Sequence, residues 1–213
     1  MATTIYATND GRIINFETTN WTDTRDATSG NTVSTGGSIV DGLQISKASG
    51  RGGTTYGCAR SFFQFDTSGI THVPKSASFN VFGYSTNAVT GLYGVKSTQS
   101  NSLAIADFDN IEGWQTGGVD NGGNITKYTE NLSSWSTSGY NTFTLTQTAL
   151  VNIASLSSFK IAILDNSYDI RGSEPSTANL RSGFHSSAYS GTTRDPKLII
   201  TEQENAVFFG ANF

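Results

Sequence analysis

The stretch from Ala59 to Tyr84, ARSFFQFDTSGITHVPKSASFNVFGY, constrains the fold more than any other part of the chain. Ala59, Ser61, Phe63 and Phe65 alternate with Cys58, Arg60, Phe62 and Gln64, the period of two that a pleated strand imposes. Asp66-Thr67-Ser68-Gly69 supplies turn chemistry: a carboxylate that can accept from backbone N–H groups ahead of it, and a glycine that tolerates positive φ. Ile70 returns toward the core, and Pro74 cannot sit in a central strand. A second strand then puts Ala77, Phe79 and Val81 on one face and Ser78, Asn80, Phe82 and Tyr84 on the other.

The same signals recur along the chain. Asn9-Asp10-Gly11 between two short apolar pieces predicts a hairpin, and Trp21 to Gly30 reads as a loop with room for one helical turn. Ile39 to Ile45 reads as a strand with a bulge or bend at Asp41-Gly42. Val89 to Lys96 suggests another strand, Leu103 to Trp114 a short helical or 3₁₀ segment, and Ile125 to Trp135 one more strand through Tyr128. Tyr140 to Leu145, Phe159 to Leu164, Leu180 to Ala188 and Pro196 to Ile200 complete the strand set. One helix is expected near 147–156, with Thr146 as N-cap and Leu150, Val151, Ile153 and Leu156 as its apolar stripe. Strands dominate without alternating with helices. The expected fold is therefore all-β, an antiparallel two-sheet jelly-roll-like sandwich with that one short helix.

A chain of 213 residues can enclose one sizeable core, so we expect one sandwich domain over 1–203 and a C-terminal apolar arm over 204–213. Charged residues make up only 14%, and 13 Lys and Arg against 17 Asp and Glu are scattered without a basic cluster. Nucleic-acid binding is not expected from such a distribution. The single cysteine, Cys58, rules out an intrachain disulfide and reads as a small core residue. MATTIYATNDGRI has neither the basic nor the apolar region of a signal peptide, and no run is long enough to span a membrane.

The order of these segments resembles the DNRLRE-type β-sandwich domains. The resemblance rests on DGLQI, on ARSFFQFDTSGI with its (L/F)-x-F-D-x-S turn, on SASFNVFGY, on YNTFTLTQTALVNIASLSSFKIAILDN and on the closing GTTRDPKLIIT. It covers about residues 5–202, and more specifically the chain looks like the single-domain versions found among virion structural proteins of tailed, aquatic phages. What it implies is a virion component made in the host cytoplasm. The expected role is a capsid decoration (cement) protein that binds the major capsid protein or other virion subunits. It would act as a homo-oligomer, with a trimer favoured.

Chemistry is sparse by comparison. His185, Asp195 and a serine could be imagined as a triad, but no nucleophile elbow accompanies them, and His72 stands alone beside Pro74. Carboxylates gather at Asp107, Asp109 and Glu112, at Asp120, and at Asp165, Asp169 and Glu174. They lack calcium-loop spacing and read as loop charges bonding their own backbone. We expect no enzyme activity, no metal and no cofactor. Trp21, Trp114 and Trp135 are the candidates for stacking on sugar rings, the alternative role being a glycan- or receptor-binding module of a tail fibre or spike. Phe208, Phe209 and Phe213, placed after the last strand, are the candidates for docking on a partner.

Overall fold

The computed structural model describes residues 1–17, 20–37, 39–86, 91–114, 124–176 and 180–203. Ten strands appear among them: β1 (Ala2–Glu17), β2 (Thr32–Ser34), β3 (Ile39–Gly50), β4 (Gly53–Asp66), β5 (Ser76–Thr86), β6 (Leu92–Lys96), β7 (Tyr140–Thr144), β8 (Ser158–Asp165), β9 (Leu180–His185) and β10 (Lys197–Thr201). Two α-helices, α1 (Trp21–Arg25) and α2 (Gln147–Ser155), a 3₁₀ turn at Ile105–Asp107 and a π turn at Asn166–Ile170 accompany them. No helix among the described residues is long and apolar enough to cross a membrane.

Every strand pairing is antiparallel, and the architecture is an all-β sandwich with a short helix. A smaller sheet joins the first part of β1 to β10, β10 to β5 and β5 to β7. A larger one joins the rest of β1 to β2 and β4, with β3, β9, β8 and β6 extending it. Two strands belong to both sheets. β1 pairs with β10 through Tyr6 and with β4 from Ala7 onward, shifting register between Ala7 and Asn9. β5 leaves β10 and β7 and joins β9 from Gly83, with a shift between Gly83 and Ser85. Such irregularities turn the corners of sandwiches. Gly83 is required there, because a Cβ would lie 1.8 Å from the carbonyl oxygen of Ser136.

The hairpin expected at Asn9-Asp10-Gly11 is thus not formed; β1 runs straight through it. Local pairing of Ile5 and Tyr6 with Ile13 and Ile14 loses to two long-range partners, β10 and β4. The expected bend at Asp41-Gly42 is a register shift between Val40 and Leu43. The segment around Tyr128 forms isolated bridges, such as Thr129 with Leu145, in place of a strand. Asp66 accepts from the Ser68 N–H at 3.0 Å and its hydroxyl at 2.6 Å, the turn its sequence implies. Thr146 precedes α2 in extended conformation, but its hydroxyl bonds the Lys127 carbonyl rather than the helix.

Alternation along β4 and β8 serves two cores. Phe63, Phe65, Phe159, Ile161 and Ile163 face the smaller sheet and meet Phe79, Val81, Phe143, Leu198 and Ile200, with Ala149, Leu150 and Ile153 of α2. Cys58, Phe62, Ala162 and Leu164 face away, into a second cluster with Trp21, Leu103, Phe108, Ile111 and Ile170. The outer face of the larger sheet is therefore covered by α1, the 99–114 segment and the π turn. That third layer positions a buried charge cluster in which Arg60 pairs with Asp169 and Arg25 with Asp26.

Candidate functional site

An arginine on an apolar strand face must find a partner or stay out of the fold, since an unpaired buried charge costs several kcal/mol. Arg60 projects from β4 between Cys58 and Phe62 and is fully buried. Its guanidinium meets the Asp169 carboxylate, Nη2 donating to Oδ1 at 2.7 Å and Nε to Oδ2 at 3.1 Å. Nη1 donates to the Phe108 carbonyl at 2.7 Å and Nη2 to the Arg25 carbonyl at 2.8 Å. Its plane lies over the rings of Phe108 and Trp114, at 4.1 and 3.9 Å to the centroids. Arg25 joins from α1, donating to the Asp169 and Ile170 carbonyls and pairing with Asp26. One side chain thereby ties β4 to α1, to the 99–114 segment and to the π turn. The arrangement is a clamp for the outer layer. Sequence reading placed Arg60 on the correct strand face but gave it no role; the available signal was one arginine between two apolar residues.

The loop carboxylates have separate structural tasks. Asp165 accepts from Ser167 and Tyr168 backbone N–H groups at 2.8 and 2.9 Å and so starts the π turn. Asp107 accepts from Ser100, Ala104 and Asn110, and although burial opposes its charge, these bonds hold its pKa below the usual value. Glu174 pairs with Lys47 at 2.6 Å and accepts from the Tyr56 hydroxyl at 2.5 Å. Burial raises the Cys58 thiol well above its ordinary pKa, which suits an inert core group.

The three tryptophans are not gathered on one surface. Trp21 is 3% exposed and faces Tyr56 at 6.3 Å, so it is core and not a stacking platform. Trp114 is half-buried, with the Arg25 and Arg60 guanidinium groups over its ring. Trp135 packs against the inner core. Phe208, Phe209 and Phe213 lie outside the described residues, as does Asp120.

A solvent-facing candidate surface forms instead where β5, β9 and the 186–196 loop meet. His185 lies on the strand face opposite the core residue Phe184, yet it is buried at 4% exposure because three rings enclose it. Phe82, Tyr84 and Tyr189 meet its imidazole at 5.5, 5.8 and 4.7 Å, all edge to face. Its Nε2 takes Arg194 Nη1 as partner at 3.3 Å, so the imagined triad with Asp195 is not assembled. Arg194 also covers Phe82 and Tyr189, and Lys197 covers Tyr140 at 3.9 Å. Burial, then Arg194, lowers the His185 pKa. The surface combines half-exposed aromatic edges with two cations, chemistry suited to holding a protein or glycan partner by stacking and charge.

Asp10 anchors this loop from below, accepting from the Ser187 N–H at 2.8 Å and hydroxyl at 3.2 Å. Burial raises its pKa from 3.8 to about 6. A raised acid binds its proton more tightly in the folded state, so stability falls as pH rises from about 4 to 6 and stays lower above. Asp10→Asn, which can keep both Ser187 bonds, should gain up to about 2–3 kcal/mol at pH 8 and little at pH 4. Urea denaturation at the two pH values checks this; an equal effect at both would remove the burial argument.

Comparison of the chain with protein-family models and with curated proteins returns no match.

Proposed function

We propose that this chain is a structural protein of a virus particle, a capsid decoration protein of a phage head that acts by binding and not by catalysis. It grips neighbouring subunits through its C-terminal arm, residues 204–213, and through the aromatic and cationic surface around Tyr84, Tyr189 and Arg194. The observation that supports this reading most is the way the chain reaches that arm. β10 runs between β1 and β5, and beyond Thr201 the Glu202 N–H donates to the Met1 carbonyl at 3.2 Å, while Lys75 N–H donates to Thr201 at 2.9 Å. A segment carrying Phe208, Phe209 and Phe213 therefore follows an interior strand held on both sides, a firm base for transmitting load. The Arg60 clamp adds a stiff outer layer, as a cement protein needs. A trimer on a three-fold position of the head is the favoured assembly. A glycan-binding role through the tryptophans fits less well, since all three rings are engaged internally.

The test is co-sedimentation of the full chain, and of a chain lacking Ala206 to Phe213, with heads that lack the protein. Burying a Phe side chain contributes about 1.5–3 kcal/mol, so losing three should weaken binding by roughly a thousandfold or more. The shortened chain should keep its circular dichroism and melting temperature. Undiminished binding would remove the arm from the reading, and a full chain that labels tails and not heads would overturn decoration of the head.

A further inference from the structure

We propose that the groove where the end of β6 meets the start of β8 is a binding site for an acidic sugar residue of the uronate type. The groove has a volume of about 400 Å³, within the range of small-molecule sites, and is lined by Lys96, Ser97, Glu112, Tyr128, Ser158 and Lys160 among others. Three features of its chemistry point the same way. First, Ser97 is 4% exposed, yet its hydroxyl has no hydrogen-bond partner, and the Ser158 hydroxyl is likewise buried without one. Buried polar atoms are normally paired, so two idle hydroxyls on one groove mark a place for an outside partner.

Second, the charges are set for an anion that also carries hydroxyls. Lys96 Nζ holds Glu112 Oε2 at 2.5 Å, and Lys160 Nζ donates to the Gln99 carbonyl at 2.6 Å. An ammonium has three donors, so each lysine keeps donors for a ligand. Two lysines against one glutamate leave the groove cationic, favouring a carboxylate. Glu112, whose pKa the Lys96 bond lowers, stays ionised to accept from sugar hydroxyls and disfavours a bare anion such as phosphate. Third, Leu156, exposed at the rim of the groove, supplies apolar wall for the C–H face of a pyranose. The frame is already fixed: Glu112 N–H bonds the Lys96 carbonyl at 3.0 Å, and Thr126 Oγ1 bonds Glu112 at 3.0 Å. The proposal stands on this groove alone and is independent of the virion reading.

The experiment is an amide NMR titration of the full chain with D-glucuronate, D-glucose and sodium acetate as probes. Glucuronate should move the Lys96, Ser97 and Lys160 signals and saturate at millimolar concentration, with glucose and acetate each at least about tenfold weaker. Lys160→Met should weaken glucuronate about tenfold, and Ser97→Ala, a smaller change, by several-fold. The remaining amide signals report whether each variant keeps its fold. No glucuronate response at tens of millimolar, acetate binding as well as glucuronate, or unchanged affinity in well-folded Lys160→Met and Ser97→Ala would overturn the assignment.

Discussion

Arg60→Met is expected to destabilise the protein by about 3–5 kcal/mol, one of the largest effects of any single substitution. The methionine fills much of the space, so the loss is electrostatic. It leaves the Asp169 carboxylate, 0% exposed, without the guanidinium that reaches it at 2.7 Å. It also orphans the Phe108 and Arg25 carbonyls, which Arg60 satisfies at 2.7 and 2.8 Å. An uncompensated buried carboxylate and two idle carbonyls are each costly. Adding Asp169→Leu to Arg60→Met removes the charge and should restore part of the stability, since paired buried ions are often replaceable by apolar groups. Recovery is incomplete because the two carbonyls remain unpaired. Urea unfolding of the single and double variants gives the answer. A loss below about 1 kcal/mol for Arg60→Met would mean that the outer layer is held by its apolar contacts alone.

How much of this could be read from sequence differs between the two faces of one strand. On the inner face of β4, Phe63 and Phe65 carry the alternation, and the sandwich follows from them and from Phe79 and Val81. The outer face was equally visible as Cys58, Arg60 and Phe62, but not what covers it. That cover comes from α1, the 99–114 segment and the π turn, short pieces with little periodicity, joined by contacts such as Arg60 to Asp169 between residues far apart in the chain. Spacing rules describe neighbours along one element and carry no information on such pairs. The same reason accounts for Asn9-Asp10-Gly11. Its composition fits a hairpin, yet Asp10 is 3% exposed and bonds Ser187, a partner no local pattern could name. For His185, alternation gives the correct face, opposite Phe184, but not the rings of Phe82, Tyr84 and Tyr189 that cover it there. The groove at Lys96 and Lys160 was invisible for a further reason: its lysines and serines, read singly, look like ordinary solvated residues.

Phe79→Ala should match the Arg60 variant in cost, about 3–5 kcal/mol, by a different mechanism. Phe79 is 0% exposed at the middle of the smaller sheet, directly opposite Leu198 of β10 and Phe143 of β7. Its ring crosses the sandwich, lying 4.9 Å from Phe63 and 5.9 Å from Phe65 on β4 and 5.5 Å from Phe143. Removing it opens a cavity bounded by both sheets. The sheets cannot close around it, since β1 and β5 run through both and fix their separation at the corners. The midpoint of thermal unfolding should fall by roughly 10 °C or more for a chain of this length. Phe82→Ala supplies the control on the opposite face of the same strand. Phe82 is half-buried against Tyr140, His185 and Arg194, so its loss should cost less than half as much. It should instead loosen the aromatic surface, seen as faster amide exchange through the 186–196 loop. Equal losses for the two variants would mean that β5 does not divide the core from the aromatic surface as its alternation implies.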